Sequence, residues 1–177
     1  MSKELILMIG VPASGKSTFA AAWCKHTNAN GRKCEVISRD AIRFSLLQEG
    51  EEYFAHEDDV WKNYVNEAVR SLNENDVTIL DATHINRASR NKILSAVRAK
   101  YRGEPFKLIG VIMDEHIKVC IERNAKRPKK TFVPENQLMQ INFNKEYPTK
   151  AERFDIVYRA CFLNDINSYD METYHYD

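Results

Sequence analysis

Long apolar runs are missing from this sequence. Its longest runs, such as residues 5–9, fall far short of the roughly 18 to 20 residues that a membrane-spanning helix needs. The N-terminus leads directly into that run, with no apolar h-region and no small-residue cleavage site, so it does not predict a secretory signal. We therefore expect a cytoplasmic protein with no membrane partner.

Cysteine motifs and an excess of charge of one sign are also missing. The four cysteines are widely spaced and form no C-x-x-C pair, so neither a zinc knuckle nor a thiol redox motif is predicted. A formal net charge of +1 excludes a globally basic nucleic-acid coat, so any polyanionic partner must be bound by a local patch. The 44% hydrophobic and 29% charged residues are typical of a globular chain.

What the sequence does contain is a regular alternation of apolar runs and amphipathic stretches. Because strands that alternate with helices form a parallel sheet covered on both faces, the pattern predicts the α/β class with about five strands. No repeat or Gly/Ser linker divides the chain, so we expect one domain over residues 1–163 and a polar, disordered tail over 164–177. The predicted strands cover residues 5–9, 34–38, 77–80, 106–113 and 155–162.

Residues 10–17 read G-V-P-A-S-G-K-S and fit the P-loop pattern G-x-x-x-x-G-K-[ST]. They lie between a predicted strand and a predicted helix, which is the context that this motif requires. The glycines let the backbone wrap closely, so that N–H groups and a helix N-terminus point at phosphate oxygens. Lys16 is expected to reach the β and γ phosphates, Ser17 to ligate Mg²⁺ and Thr18 to contact the α phosphate. The motif predicts that the chain binds ATP and Mg²⁺.

Other residues indicate which class of P-loop protein this chain belongs to. Both Asn-Lys pairs, at residues 91–92 and 144–145, lack the Asp that a guanine-reading N-K-x-D motif needs. The length leaves little room for the additional lid domain of an oligomeric ATPase motor, so a compact kinase fits better. Such a kinase needs a carboxylate near the acceptor hydroxyl, and Asp40 follows the second strand with Arg43 three positions later. Asp81, after the third strand, is the candidate second Mg²⁺ ligand, with Asp114 as a weaker rival.

A basic cluster supplies the positive charge that phosphoryl transfer requires. We call residues 123–130 the lid. They contain five cations, three before Pro128 and two after it, and no acidic residue. The sequence predicts a helix over residues 115–127, so Arg123 and Arg127, four positions apart, share a face of it. We expect these arginines to cover the triphosphate and neutralise the charge that grows in the transition state.

Together these stretches resemble the kinase domain of bacteriophage-type 5′-OH polynucleotide kinases and their bacterial RNA-repair relatives. The resemblance is carried, in the family's order, by residues 10–18, by residues 38–40 with Arg43, by residues 80–83, and by residues 122–127 followed by 133–134. It implies that Asp40 is the general base for the 5′-hydroxyl, that Arg43 contacts the substrate phosphate and that Arg127 is the lid arginine, supported by Arg123. It places Asp81 and Thr83 on the substrate side. The implied nucleotide-binding residues are Gly10, Ala13, Ser14, Gly15, Lys16, Ser17, Thr18, Arg123 and Arg127.

The chain departs from the family pattern at two points. His84 follows Thr83 where the family has asparagine, and the Asp-x-Asp-Gly-Thr signature of the family's phosphatase domain is missing, so no 3′-end repair is implied. The expected partner is a DNA or RNA 5′-OH end. Two alternatives stay open: a kinase of another hydroxyl, on a nucleoside, a modified base in DNA, an aminoacyl-tRNA or a small metabolite, and a regulatory ATPase. The sequence carries no signal of an oligomeric state.

Overall fold

The computed structural model describes residues 2–163 and 168–176. Strands and helices alternate along the first 163 residues, as the apolar pattern predicts. The strands are β1 (Lys3–Ile9), β2 (Cys34–Ser38), β3 (Val77–Asp81), β4 (Phe106–Met113), β5 (Ile156–Leu163) and β6 (Ser168–Thr173). The helices are α1 (Lys16–Ala29), α2 (Arg39–Leu46), α3 (Glu57–Glu74), α4 (Arg87–Lys100), α5 (Ile117–Ala125) and α6 (Glu135–Phe143). Short 3-10 turns lie at Lys129–Thr131 and Lys150–Glu152.

The strands form one sheet in the order β2-β3-β1-β4-β5-β6. The first five are parallel, which confirms the α/β prediction. The sixth was not expected: β6 runs antiparallel to β5 inside the segment predicted to be a disordered tail. Its side chains at positions 170–173 are exposed, so backbone pairing with β5 holds the strand. Tyr169 and Met171 alternate with polar residues over six positions only, which is a weak signal inside a polar, acidic segment. Residues 164–167 and 177 of the predicted tail lie outside the described residues.

Alternating side chains of β1 divide the core between the two faces of the sheet. Leu5, Leu7 and Ile9 pack with the buried residues of α3 and α4, while Ile6 and Met8 face α1. All five are fully buried. A continuous apolar run suits this strand because both of its faces are covered.

The order of the strands determines where a ligand can bind. The chain leaves β1 for β2 on one side of the sheet and later returns to β4 on the other side. In open α/β sheets this change of direction opens a crevice beyond the carboxyl ends of the strands. The loops after β1, β2 and β3 meet at this edge, and they carry the candidate residues.

Candidate functional site

The loop between β1 and α1 adopts a conformation that only small residues permit. A Cβ atom on Gly10 would lie 2.8 Å from Ser14 Oγ and 3.0 Å from the carbonyl oxygen of Met113. Gly15 has a φ of 93°, in the left-handed region where a side chain is strained. The two glycines therefore allow the backbone to curl tightly just before α1 begins.

Helix α1 presents an uncapped N-terminus at the end of this loop. No side chain caps the helix at Gly15, and its first turn contains no acidic residue. The amide groups of that turn and the positive end of the helix dipole are suited to an anion such as a phosphate. The Ser14 hydroxyl lies inside the loop beside Gly10 and has no hydrogen-bond partner among the described residues. This arrangement fits the phosphates of ATP.

Lys16 supplies the positive charge of the loop. Its side chain is buried, and its Nζ donates a hydrogen bond of 2.6 Å to the carbonyl oxygen of Val11. Burial lowers the pKa of Lys16 to about 8, although the charge of Asp81 opposes that shift. A bound phosphate would favour the charged form of this lysine.

The residues suited to a magnesium ion lie beside Lys16. Burial raises the pKa of Asp81, while a hydrogen bond from the Ser17 side chain and the charge of Lys16 act in the opposite direction. Hydroxyl and carboxylate oxygens are ligands that Mg²⁺ accepts, so this pair fits the ion. Asp114, the weaker candidate, instead accepts from Lys145 and Arg159 at 2.5 Å each and from Tyr147 at 2.8 Å.

The acceptor side of the site begins at α2. Ser38 caps that helix by accepting a hydrogen bond of 3.3 Å from the backbone amide of Ala41. Asp40, in the first turn, has a side chain that is 52% exposed and accepts 2.5 Å and 2.7 Å hydrogen bonds from Arg43 and the Tyr53 hydroxyl. Its carboxylate is therefore both oriented and open to a ligand.

Arg43 is bound more extensively than the sequence suggests. Its guanidinium is buried and donates to Glu57 at 2.8 Å as well as to Asp40. Burial lowers the pKa of Arg43, but the Glu57 hydrogen bond and the neighbouring Tyr53 and Asp40 more than offset it, and the net pKa is raised. The family resemblance assigns Arg43 to a substrate phosphate, whereas in this structure two carboxylates hold it.

Two residues of this cluster, Tyr53 and Glu57, are linked to Arg43 only by the structure. The sequence offers Tyr53 and Phe54, after an acidic turn, as side chains that could stack on a base or pack in the core, and it does not single out Glu57. Their contacts with Arg43 span 10 and 14 positions of the chain, so no local spacing rule links them.

The lid is positioned by an asparagine. The side chain of Asn124 donates to the carbonyl oxygen of Val133 at 2.7 Å and accepts from its amide at 3.1 Å, which closes the loop between them. Helix α5 ends at Ala125, so Arg127 lies in that loop, and the helical spacing expected for Arg123 and Arg127 does not apply. Both arginines nevertheless line the same cavity, and Arg123 pairs with Glu115 at 2.9 Å.

His84 is part of the support for the phosphate loop. It is buried, its Nδ1 lies 2.8 Å from the carbonyl oxygen of Met8, and its Nε2 lies 3.3 Å from the Tyr64 hydroxyl. Burial lowers the pKa of His84 to about 4. The neighbouring Thr83 accepts a hydrogen bond of 3.0 Å from the amide of Gly10 through its carbonyl oxygen. The histidine that replaces the family's asparagine therefore packs under the loop instead of facing an acceptor.

A single cavity of about 1510 Å³ brings the candidate residues together. Its volume exceeds the roughly 300 to 1,000 Å³ of a pocket for one small molecule, so there is room for two substrates. Gly10 and Ser14 are buried within the loop instead of lining the cavity. The predicted site residues that line it are Ala13, Gly15, Lys16, Ser17, Thr18, Asp40, Arg43, Asp81, Thr83, Arg123 and Arg127.

Comparison with protein families gives a match over most of the chain. A family model described as an AAA domain matches residues 5–148, from β1 to the segment beyond α6. The chain belongs to this family. Membership agrees with the P-loop NTPase fold that the sheet order and the loop after β1 define. None of the curated proteins compared with the chain matches it.

Solved structures with the same fold include several kinases. Kti12 of Chaetomium thermophilum, solved with ADP-AlF3, is 17% identical with a TM-score of 0.64, covering 92% of this chain and 91% of that one. The Pnkp1/Rnl/Hen1 RNA repair complex contains a chain with 19% identity and a TM-score of 0.63, and the match covers 83% of this chain and 48% of that one. A sugar kinase from Janibacter sp. HTCC2649 has 21% identity and a TM-score of 0.57, and the match covers 89% of this chain and 85% of that one. At these identities the likeness shows the fold alone.

The fold contains no helix, among the residues described, that is long and apolar enough to cross a membrane. This family member spans about half the length of the chain that it matches in the RNA repair complex.

Proposed function

We propose that this protein is an ATP- and Mg²⁺-dependent phosphotransferase that moves the γ-phosphoryl group to the 5′-hydroxyl of a polynucleotide. The observation that carries the proposal is the position of Asp40. Its exposed, oriented carboxylate lines the same cavity as Lys16, Ser17 and Asp81. A general base on one side of the cavity and a phosphate cradle on the other are the two halves of an in-line transfer.

In the proposed reaction Asp40 takes the proton of the 5′-hydroxyl. A bond forms between that oxygen and the γ-phosphorus, and the bond between the γ-phosphorus and the β,γ-bridging oxygen breaks, which releases ADP. Lys16 and the lid arginines Arg123 and Arg127 would offset the negative charge on the transferring group. Ser17 and Asp81 would hold Mg²⁺, which shields the phosphate charge and holds the triphosphate in place.

Three observations support a polynucleotide as the acceptor. The cavity is large enough for a second substrate beside ATP. Lys129 and Lys130 line it next to exposed aromatic rings, a combination typical of single-stranded nucleic-acid sites. The four stretches that resemble polynucleotide kinases also include Asp40, Asp81 and Arg127.

A small hydroxylated metabolite is the second candidate acceptor. The net charge of +1 and the pairing of Arg43 with two carboxylates leave few free cations for backbone phosphates. Sugar kinases share the fold, including a gluconokinase of Sinorhizobium meliloti 1021 at 20% identity and a TM-score of 0.52.

The test is transfer of γ-labelled phosphate from ATP with Mg²⁺ to 5′-OH DNA and RNA oligonucleotides. Nucleosides, modified-base DNA, tRNA and gluconate are offered in parallel. We expect label at the oligonucleotide 5′ end, and a loss of about 10² to 10⁴ in turnover for Asp40→Ala with ATP binding retained. Asp59→Ala is the matched control, since Asp59 is another exposed helical carboxylate, paired only loosely with Lys62 at 3.9 Å.

Each other outcome would change the proposed function or the role of Asp40. Label only on another acceptor would keep the kinase and replace its substrate. Release of free phosphate alone would identify an ATPase. Normal turnover of Asp40→Ala would remove Asp40 from the role of general base.

A further inference from the structure

Two adjacent aromatic side chains, Tyr53 and Phe54, border the acceptor side of the cavity. We call them the aromatic pair. The Tyr53 hydroxyl donates to Asp40 Oδ1 at 2.7 Å, so the pair lies directly beside the proposed general base. Phe54 is 68% exposed although it lines the cavity. Its ring therefore faces the space in which an acceptor would lie.

The aromatic pair is held in place from the protein side. The two rings meet edge to face, with centroids 4.8 Å apart and an interplanar angle of 88°. The guanidinium carbon of Arg43 lies 4.3 Å from the Tyr53 centroid and 5.6 Å from the Phe54 centroid, within the range of cation–π attraction. Glu57 anchors that arginine at 2.8 Å. Phe54 is thus an ordered ring with a solvent-exposed surface.

An exposed ring next to a catalytic carboxylate is suited to a flat partner attached to the reacting hydroxyl. The nucleobase of a 5′-terminal nucleotide is such a partner, because every base has a π-face and stacks without regard to sequence. Cations complement the phosphates that follow it: Lys129 and Lys130 line the same cavity, and Lys130 Nζ lies 5.4 Å from the centroid of Phe44. A sugar can also pack its C–H face against a ring, but an abasic 5′ end keeps its sugar, so comparing it with a normal end isolates the contribution of the base.

Resting on the function proposed above, we infer that Phe54 stacks on the nucleobase of the acceptor's 5′-terminal nucleotide and so selects ends that carry an intact base. Asp40 then accepts a hydrogen bond from the 5′-hydroxyl of the same nucleotide. The selection is for the presence of a base and is indifferent to its identity.

The test compares two 5′-OH oligonucleotides that differ only in whether the terminal nucleotide carries a base or is abasic. For the wild-type protein we expect the abasic end to raise the KM by about 5- to 150-fold, the range that one base stack supports, with a small change in kcat. Phe54→Ala should raise the KM for the normal end by a similar factor and leave the abasic end unaffected. Phe54→Trp should restore discrimination.

Phe143→Ala is the matched control, since Phe143 is 86% exposed on α6 and does not line the cavity. It should not change either KM. Equal use of both ends by the wild-type protein, or an equal loss on both ends in Phe54→Ala, would overturn the inference while the kinase function stands. A wild-type protein that phosphorylates no oligonucleotide would overturn the proposed function and this inference together.

Discussion

At the scale of single residues, burial sets the chemistry of the phosphate loop. Lys16 is buried with its ammonium on the carbonyl oxygen of Val11, and desolvation lowers its pKa from 10.5 to about 8. A phosphate beside the ammonium would stabilise the charged form, because an opposite charge favours ionisation. The pKa of this lysine is therefore expected to rise when ATP binds.

The difference between the pKa of Lys16 in the ligand-free protein and in the ATP complex predicts proton uptake on ATP binding. Near pH 8 about half of the Lys16 side chains are neutral in the ligand-free protein, so binding should take up about half a proton per ATP. ATP itself exchanges few protons there, because its last phosphate pKa is near 6. Calorimetric titration in buffers of different ionisation enthalpy measures the uptake.

Lys16→Met should abolish this uptake and weaken ATP binding. Lys25→Met, at an exposed position of the same helix, should leave both unchanged. A binding enthalpy that is independent of the buffer in the wild-type protein would contradict the prediction.

At the scale of elements, the lid depends on a side chain that stands in for backbone pairing. Asn124 is buried and makes two hydrogen bonds to the backbone of Val133, across the loop that carries Arg127 and the three lid lysines. The sequence predicts a longer helix here, but α5 ends at Ala125. Asn124 therefore ties the two ends of the loop together, in addition to the 3-10 turn at Lys129–Thr131.

Removing this side chain should loosen the lid. Asn124→Ala leaves the partly buried amide and carbonyl of Val133 without these partners, and each lost hydrogen bond costs about 0.5 to 1.5 kcal/mol of unfolding free energy. We expect lower stability in urea unfolding, faster tryptic cleavage after Lys129 and Lys130, and a higher KM for ATP. Asn136→Ala, at an exposed position on α6, is the control and should change none of these. Unchanged tryptic cleavage in Asn124→Ala would refute this role.

At the scale of the whole molecule, one buried ion pair joins distant parts of the chain. Arg90 on α4 donates to Glu152 at 2.6 Å and 3.0 Å, and both side chains are fully buried. The same guanidinium donates to the carbonyl oxygens of His84 at 3.1 Å and Glu146 at 2.9 Å. It thus links the turn after β3, which supports the phosphate loop, to the segment before β5.

Loss of one partner should be costly. Glu152→Ala leaves the Arg90 charge buried without its carboxylate, and breaking such pairs typically costs about 3 to 5 kcal/mol. Asp59→Ala breaks an exposed pair and should cost less than about 1 kcal/mol. Urea unfolding of the two variants and the wild type measures both losses of unfolding free energy. A loss below about 1 kcal/mol for Glu152→Ala would show that the pair does not hold these segments together.

Much of the fold could be predicted because its signals are local. The predicted strand at 106–113 coincides with β4, and the one at 77–80 ends one residue before β3 does, since buried parallel strands appear as apolar runs that end at polar residues. The P-loop was readable for the same reason: its glycines, Lys16 and Ser17 are consecutive in the chain. The polar edge strand β6 lacks such a signal, because backbone pairing with β5 forms it.

The sequence by itself determined the class of sheet, the phosphate loop and the candidates Asp40, Asp81 and the lid arginines. Only the tertiary structure decided what surrounds them. It brings Tyr53 and Glu57 to Arg43, buries His84 beneath the loop and assigns Asp114 to a separate cluster. These contacts join residues far apart in the chain, and their energies depend on burial and geometry that no spacing of residues encodes.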